Sequence, residues 1–189
     1  MAGSRTIKTL TALVISMTIG AFALLLLETA PILPQFQPLA AQASSTTEKI
    51  VKDTEVPIKD DTWRSIVLHG PREGIAADNC HFIVDGTSIV ATTHWKHQQA
   101  ADHVVPYVRG SDYNASSIGV FVRSDFSRRM PSPEESEALA QLVTTLQQIC
   151  NIDRARVYFH CDLYPNPSVP KPQGDFANWL TGRLMTVEQ

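Results

Sequence analysis

The chain has 189 residues, 43% of them apolar, and its formal net charge is −3 at pH 7. This composition is that of one ordinary globular domain with additional segments, and it carries no strong electrostatic signature. Because the basic excess typical of nucleic-acid-binding proteins is absent, no nucleic-acid partner is predicted.

A segment without a formal charge runs from Thr9 to Leu27 near the N-terminus. At about 1.5 Å per helical residue, a helix of this length nearly crosses the core of a bilayer. Arg5 and Lys8 precede the segment, and the first charge after it is Glu28, so the positive-inside rule places residues 1–8 in the cytoplasm. We therefore predict a transmembrane anchor, or an uncleaved signal, over 9–27 and an exported domain that is periplasmic or extracellular.

Residues 28–56 are predicted to form an extended linker, because prolines recur there among Ala, Ser, Thr and Gln. Within this stretch, Ala41-Gln42-Ala43 has the small-x-small pattern of a signal-peptidase site. It lies well beyond the end of the apolar run, which favours a retained anchor over cleavage. Both alternatives stay open.

Residues 57–189 contain short apolar runs separated by turn residues, a pattern typical of β-strands. Two of these runs flank Asp85-Gly86, which tolerates a positive φ and predicts a hairpin. Two others end in a histidine, His69 in the first run and His160 in the last. The predicted strands cover residues 64–69, 80–84, 87–91, 118–122 and 156–160.

One long helix is predicted between the last two strands. Ser132 can cap it, Pro133 fits the first helical position, and Ser132-x-x-Glu135 has capping-box spacing. Apolar residues then recur as far as Cys150 at intervals that line one helix face. With a shorter helix around 175–185, the pattern predicts an α/β domain with a mixed central β-sheet flanked by helices.

His69 and His160 both stand at the carboxyl ends of predicted strands, where side chains leave the sheet. A single histidine in such a place is usually a surface or hydrogen-bonded residue, but two in equivalent places favour a shared site. If the two strands are neighbours, the imidazoles converge as a zinc site requires.

Three cysteines, Cys80, Cys150 and Cys161, make an odd count. In an oxidising compartment at most one internal disulfide can form, and one thiol is left over. The sequence does not choose the pair.

Several short segments occur in a recognisable order along the exported domain. They are Trp63-x-x-Ile66-Val67-Leu68-His69, His81-Phe82-Ile83-Val84-x-Gly86, Ala101-x-His103, Tyr113-Asn114-x-x-x-Ile118-Gly119-Val120, residues 131–150, Val157-x-x-His160-x-Asp162 and Lys171-x-Gln173-x-x-Phe176. Together they resemble the type-2 N-acetylmuramoyl-L-alanine amidase family, which includes the peptidoglycan recognition proteins and the phage amidase-type lysozymes. The resemblance covers nearly all of the domain.

The resemblance implies a zinc hydrolase that acts on peptidoglycan or muropeptides and cuts the amide between N-acetylmuramic acid and L-alanine. The two histidines that bind zinc in the family match His69 and His160, and the third ligand, an Asp or Cys in the family, falls on Gln173. Lys171 matches a lysine that helps to stabilise the oxyanion. Cys80 stands where many members have a catalytic tyrosine.

Two further positions, Asn114 and His103, match places where the family meets its substrate.

Three departures from the family pattern bear on activity. The neutral carboxamide of Gln173 is a poor zinc ligand beside a carboxylate or thiolate. The thiol of Cys80 does not replace a phenol. The segment between His69 and Cys80 is too short for the helix that members commonly place there, so one wall of the substrate groove is expected to be missing.

Other candidates for the third zinc ligand are Cys80, His81, His103, Cys161 and Asp162.

Three functions therefore remain open. The first is a membrane-tethered zinc amidase with an unconventional third ligand. The second is a non-catalytic domain that binds peptidoglycan or muropeptides through the same groove. The third is a scaffold for protein interaction without a glycan ligand. A fold alone does not transfer a function without its site, so zinc binding discriminates the first from the others.

Overall fold

A computed structural model describes residues 39–104, 112–164 and 168–186. The segment predicted to cross the membrane, 9–27, and the cytoplasmic residues 1–8 lie outside these ranges. Within them, every helix is too short or too polar to traverse a bilayer.

Within the described ranges five strands form one sheet, in which the hairpin at the edge is antiparallel and the other pairs are parallel. The strands are β1 (Ser65–His69), β2 (Phe82–Asp85), β3 (Ser88–Ala91), β4 (Ser117–Val122) and β5 (Val157–Phe159). Their order across the sheet is β3-β2-β4-β1-β5, and all neighbours other than β2 and β3 run parallel. The predicted mixed sheet and the hairpin, in which Gly86 has a φ of 59°, are confirmed.

Strands β1 and β4 lie at the centre of the sheet and are buried along their whole length. Continuous apolar runs such as these are typical of parallel strands covered on both faces. Ile66 and Leu68 point into the main core, whereas Val67 packs on the other face against Val104 and Leu163. Since side chains alternate along a strand, His69 lies on the same face as Val67.

The long predicted helix is present over Pro133–Cys150. The Ser132 hydroxyl oxygen accepts from the Glu135 backbone N–H at 3.2 Å, which confirms the cap. Only half of the capping box forms, because the Glu135 carboxylate instead accepts from the Ser124 hydroxyl at 2.5 Å. Asn151, with a φ of 53°, ends the helix in the left-handed conformation.

The remaining helices are short, apart from one within the predicted linker. They are Leu39–Lys52, Thr93–Lys96, Tyr113–Ser116, His160–Leu163 and Gly174–Thr181, with 3₁₀ turns at Ala77–Asn79 and Arg154–Arg156. The helices flank the sheet, as predicted.

The helix Leu39–Lys52 differs from the predicted extended linker over 28–56. Its sequence contains no proline, since Pro31, Pro34 and Pro38 all precede it. Val51 is fully buried in the main core, and its carbonyl accepts from the indole N–H of Trp95 at 2.8 Å. The folded domain therefore begins well before residue 57.

Candidate metal centre

The topology brings the two strand-end histidines together. His69 is the last residue of β1, His160 directly follows β5, and these strands are parallel neighbours. Because parallel strands end at the same edge of a sheet, both imidazoles reach the same place. Their Nδ1 atoms lie 3.1 Å apart, which confirms the predicted convergence.

A carboxylate completes this cluster, and it comes from the turn directly after β1. The Glu73 backbone N–H donates to the Gly70 carbonyl at 3.3 Å, so the chain reverses and returns the side chain towards the strand end. The Glu73 Oε2 atom lies 2.9 Å from His160 Nδ1 and 3.3 Å from His69 Nδ1. Only 3% of the Glu73 side chain is exposed. We refer to His69, Glu73 and His160 as the triad.

Gly70 gives the turn the room that it needs. A Cβ atom at this position would lie 3.2 Å from the Phe126 ring and 3.6 Å from Glu73 Oε1. The absence of a side chain therefore lets Phe126 and the Glu73 carboxylate both approach the end of β1.

The charges of the triad suit a cation. Burial lowers the pKa of His69, which keeps its imidazole neutral near pH 7. Burial alone would raise the pKa of Glu73, but its polar contacts with His160 and His69 outweigh burial and leave that pKa below its ordinary value. The triad thus combines a carboxylate with imidazole nitrogens in a buried place.

The donor atoms fit a zinc ion. Around tetrahedral zinc with ligand distances of 2.0–2.1 Å, neighbouring donor atoms lie about 3.3 Å apart. The three separations in the triad, 2.9, 3.1 and 3.3 Å, are close to that spacing. Two histidines with one glutamate are also an established ligand set of catalytic zinc, and they leave a fourth position open.

A third histidine, His103, contacts His69 through the ring nitrogen that does not face the triad. The Nε2 atom of His69 lies 2.9 Å from Nδ1 of His103. The Nε2 atom of His103 in turn lies 3.3 Å from both the carbonyl and the hydroxyl oxygen of Ser117. His103 is 1% exposed, and its ring covers Gly119 on β4. The structure therefore places His103 in hydrogen-bonding contact with a member of the triad.

The predicted third ligand, Gln173, has other partners. Its exposed side chain stands directly before the helix Gly174–Thr181, and its amide nitrogen donates to the Arg128 carbonyl at 2.5 Å. Within the described ranges it makes no hydrogen bond with His69 or His160. The third donor that lies beside His69 and His160 belongs to Glu73, and the predicted role of Gln173 as a zinc ligand stays a prediction.

The position of Lys171 is indicated by its electrostatic effect on a neighbouring thiol. Burial raises the pKa of the Cys161 thiol to about 11, and the Lys171 ammonium acts in the opposite direction. Lys171 is therefore close enough to residue 161, the neighbour of His160, for its charge to be felt there. Its predicted role at the oxyanion stays a prediction.

Cys80 is a buried thiol at the start of the hairpin. Its side chain is fully buried, and burial raises its pKa, so it remains protonated. It is not a member of the triad. Cys80, Cys150 and Cys161 are all free thiols.

Asn114 organises the loop that carries His103. Its amide oxygen accepts from the backbone N–H groups of His103 and Val104, at 3.2 and 2.8 Å. Its amide nitrogen donates to the Val104 carbonyl at 2.6 Å and to the Asp102 carboxylate at 3.1 Å. Both atoms are thus engaged within the protein, and the predicted contact with substrate stays a prediction.

Glu73 is the residue that the sequence reasoning missed. The other candidates, Cys80, His81, His103, Cys161 and Asp162, lie outside the one group of converging ligand atoms found in the described ranges. The available signal was an acid in the short segment after His69, closed by Gly70 on one side and Gly74 on the other. Gly74 has a φ of 74°, as expected of a tight turn.

A cavity of about 460 Å³ opens beside the triad. Glu73 and His160 line it on the side of the triad, and Asn79, Asp102 and Tyr164 lie among its other walls. The Tyr164 ring packs on the His160 ring with 4.5 Å between centroids. A substrate bound in the cavity would reach the triad directly.

Comparisons with solved structures return amidases at low sequence identity. The endolysin N-acetylmuramoyl-L-alanine amidase LysCS from Clostridium intestinale URNW shares 16% identity, over 66% of this chain and 88% of that one, with a TM-score of 0.47. The catalytic domain of XlyA shares 19% identity over 66% and 87%, with a TM-score of 0.47. A selenomethionine derivative of AmpD shares 15% over 71% and 96%, with a TM-score of 0.49.

A search of curated protein sequences gave no significant match. The sequence profile of the family described as N-acetylmuramoyl-L-alanine amidase, by contrast, matches residues 40–172, which is most of the chain. This range includes all five strands and the triad. The chain therefore belongs to the type-2 N-acetylmuramoyl-L-alanine amidase family.

Proposed function

We propose that this peptidoglycan amidase-like domain is a zinc-dependent hydrolase whose metal is held by His69, Glu73 and His160. The observation that carries the proposal is the convergence of three buried donor atoms within 2.9–3.3 Å of one another. In this arrangement the acidic ligand comes from the turn after the first strand. The reaction is hydrolysis of the amide between N-acetylmuramic acid and the first L-alanine of the stem peptide.

Zinc, when bound, lowers the pKa of a coordinated water to about 7 and polarises a carbonyl oxygen. The protein's part is to hold three donors rigidly and to bring the substrate to them. Glu73 supplies the full negative charge that the amide of Gln173 lacks. Burial of the triad keeps the electrostatic attraction between Glu73 and a cation strong.

The cavity beside the triad supports a substrate that lies across His160 and Glu73. Tyr164 offers an aromatic surface there, and Asn79 and Asp102 offer hydrogen-bonding groups. Lys171 would stabilise negative charge on the carbonyl oxygen under attack, as the family resemblance implies.

Metal analysis of the full-length chain, purified in detergent, tests this proposal. We expect one zinc per chain, and release of peptide from a muramoyl-peptide substrate that stops on chelation and returns with zinc. Glu73→Gln should weaken zinc binding by about 100-fold, because a carboxamide replaces a carboxylate ligand. Gln173→Ala is the matched control and should bind zinc as the unmodified chain does.

Two outcomes would overturn this assignment. Zinc binding that survives Glu73→Gln but is lost in Gln173→Ala would return the third ligand to residue 173. A chain that takes up no zinc at saturating concentration would remove the metal altogether.

A second candidate function is a non-catalytic domain that binds peptidoglycan or muropeptides. It is favoured by Cys80, which stands where many family members have a catalytic tyrosine and is a fully buried thiol. This function predicts sedimentation with purified peptidoglycan without any release of peptide, whether zinc is present or not. Hydrolysis by the zinc-loaded chain would exclude it.

We further propose that the domain is exported and held at the membrane by residues 9–27. The support is the uncharged run between Lys8 and Glu28. A fusion of a periplasmic reporter enzyme to the C-terminus should be active and should stay with membranes after a carbonate wash. A reporter found in the soluble fraction at a reduced mass would indicate cleavage instead.

A further inference from the structure

We propose that His103 is a positioning residue that fixes the tautomer of His69, with the hydrogen on Nε2 and the lone pair on Nδ1. The use of this lone pair for zinc rests on the proposed function. The tautomer itself follows from hydrogen bonds that do not involve a metal. It can therefore be tested with and without zinc.

The argument begins at Ser117, the first residue of β4. Its hydroxyl donates to the Tyr113 carbonyl at 2.5 Å, so the hydroxyl oxygen presents only lone pairs to other neighbours. Both this oxygen and the Ser117 carbonyl oxygen lie 3.3 Å from Nε2 of His103. An imidazole nitrogen that faces two acceptors must carry a hydrogen. His103 is therefore protonated on Nε2.

The second step passes from His103 to His69. Both rings are almost completely buried, and the polar atoms that contact the His103 ring, on Ser117 and His69, include no carboxylate that could pair with an imidazolium. A neutral imidazole carries one hydrogen, so Nδ1 of His103 is an acceptor. Its partner at 2.9 Å is Nε2 of His69, which must donate. The hydrogen of His69 is thus on Nε2.

The third step concerns the opposite side of His69. With its hydrogen on Nε2, its Nδ1 atom presents a lone pair towards His160 Nδ1 at 3.1 Å and Glu73 Oε2 at 3.3 Å. A lone pair that faces a carboxylate oxygen is favourable only when a proton or a cation lies between them. The tautomer set from Ser117 therefore directs a metal-binding atom of His69 into the triad.

The position of His103 is itself tightly constrained. Asn114 binds the backbone N–H groups of His103 and Val104. On the sheet side, a Cβ atom on Gly119 would lie 2.7 Å from Cγ of His103. The ring therefore packs directly on the strand backbone, and only glycine at 119 permits this approach. Hydrogen-bond partners of metal-binding histidines commonly change metal affinity by 10–100-fold when they are removed.

Nitrogen NMR of the histidine side chains reads the tautomer directly. In the metal-free full-length chain, labelled with ¹⁵N-histidine, we expect His69 to carry hydrogen on Nε2 and to show an unprotonated Nδ1. The His69 signals are assigned by their loss in His69→Leu. A hydrogen on Nδ1 of His69 would overturn the proposal.

A matched pair of variants tests the role of His103. Asparagine places an amide oxygen near the position of Nδ1, where it can accept from His69, whereas leucine has the same branching and cannot accept. We expect His103→Leu to bind zinc 10–100-fold more weakly and to mix the His69 tautomers. His103→Asn should retain most of the zinc affinity.

The outcomes separate this inference from the proposed function. Equal zinc affinities of His103→Leu and the unmodified chain would overturn the positioning role. If His103→Leu does not fold, a loss of affinity in His103→Asn as large as that in His69→Leu would overturn it. An unmodified chain with the expected tautomer but without zinc binding would refute the metal site and leave the tautomer assignment standing.

Discussion

Two fully buried histidines, His81 and His69, lie in the same sheet region and have opposite surroundings. His81 has both ring nitrogens paired with the backbone. Its Nδ1 accepts from the Gly119 N–H at 2.9 Å, and its Nε2 donates to the Gln99 carbonyl at 3.0 Å. At His69 one nitrogen faces His103, and the other faces His160 and Glu73.

Under the proposed function, this difference separates a structural histidine, His81, from a metal ligand, His69. Burial is the same at both positions, so burial alone does not identify a functional site. The hydrogen-bond capacity of the His81 ring is fully used within the protein, where it links Gly119 on β4 to the Gln99 carbonyl. The Nδ1 atom of His69 faces the Glu73 carboxylate and His160 Nδ1, which can also bind a cation, and this excess of acceptors is the reason that we propose the triad as the metal site.

The largest expected effect is the loss of zinc binding when His69 is replaced, in contrast to its retention when His81 is replaced. His69→Leu should abolish stoichiometric zinc binding, because it removes one of three protein ligands. His81→Leu should keep zinc but lose about 1–3 kcal/mol of unfolding free energy for each backbone group left unpaired. Metal analysis and urea unfolding of both variants measure the two effects. Zinc loss from both would contradict the distinction between them.

The second prediction concerns acid. Burial lowers the pKa of His81 to about 3, with Gln99 and His94 as smaller influences. Its unfolded-state pKa is about 6.5, so below that value the unfolded chain binds a proton that the folded chain does not. Stability is therefore complete above about pH 6.5 and falls as the pH approaches 3, at about 1.4 kcal/mol per pH unit for this residue.

Urea unfolding of the metal-free chain between pH 7.5 and pH 4.5 measures this slope. The burial of His69 and His103 also lowers their pKa values and adds to the loss. His81→Leu should have a shallower slope than the unmodified chain. An unchanged slope would show that His81 becomes protonated in the folded state.

The third prediction concerns Gly119, which contacts both kinds of histidine. Its N–H donates to His81, and a Cβ atom would collide with the ring of His103. Gly119→Ala should cost about 1–3 kcal/mol of unfolding free energy through overpacking, and should also weaken zinc binding. Gly174→Ala is the control, because a Cβ there meets no atom of the described residues within 4 Å. Equal stabilities of the two variants would contradict the tight packing of His103.

The smallest expected effect concerns Ser132, which caps a helix and does not belong to the triad. Ser132→Ala removes the cap of the helix Pro133–Cys150 and should cost about 1 kcal/mol in urea unfolding. Zinc affinity should not change. A weaker affinity in this variant would indicate that general destabilisation, and not ligand loss, explains the effects at the triad.

The strands, the hairpin and the long helix could be predicted because each depends on a local pattern. Alternation, turn residues and caps act over a few positions, and the structure confirms them. The convergence of His69 and His160 required one further assumption, that their strands are neighbours, which the parallel pairing of β1 with β5 fulfils.

Glu73 and the helix Leu39–Lys52 could not be predicted in the same way. The approach of Glu73 to His160 depends on the path of a turn and on the contact of Gly70 with Phe126, which no periodicity describes. The helix has few large apolar residues, since alanine supplies half of its apolar positions. It is attached to the domain by the burial of Val51 and by Trp95, more than forty positions along the chain. Tertiary contacts decide both features.

Two members of the triad, His69 and Glu73, are only four positions apart, whereas His160 is 91 positions from His69. A loop this short costs less entropy to close than the long one that brings in His160, so under the proposed function His69 and Glu73 would be the first two donors to come together. A bound ion would then link the end of the first strand to the end of the last, and would oppose the separation of β5 from the sheet.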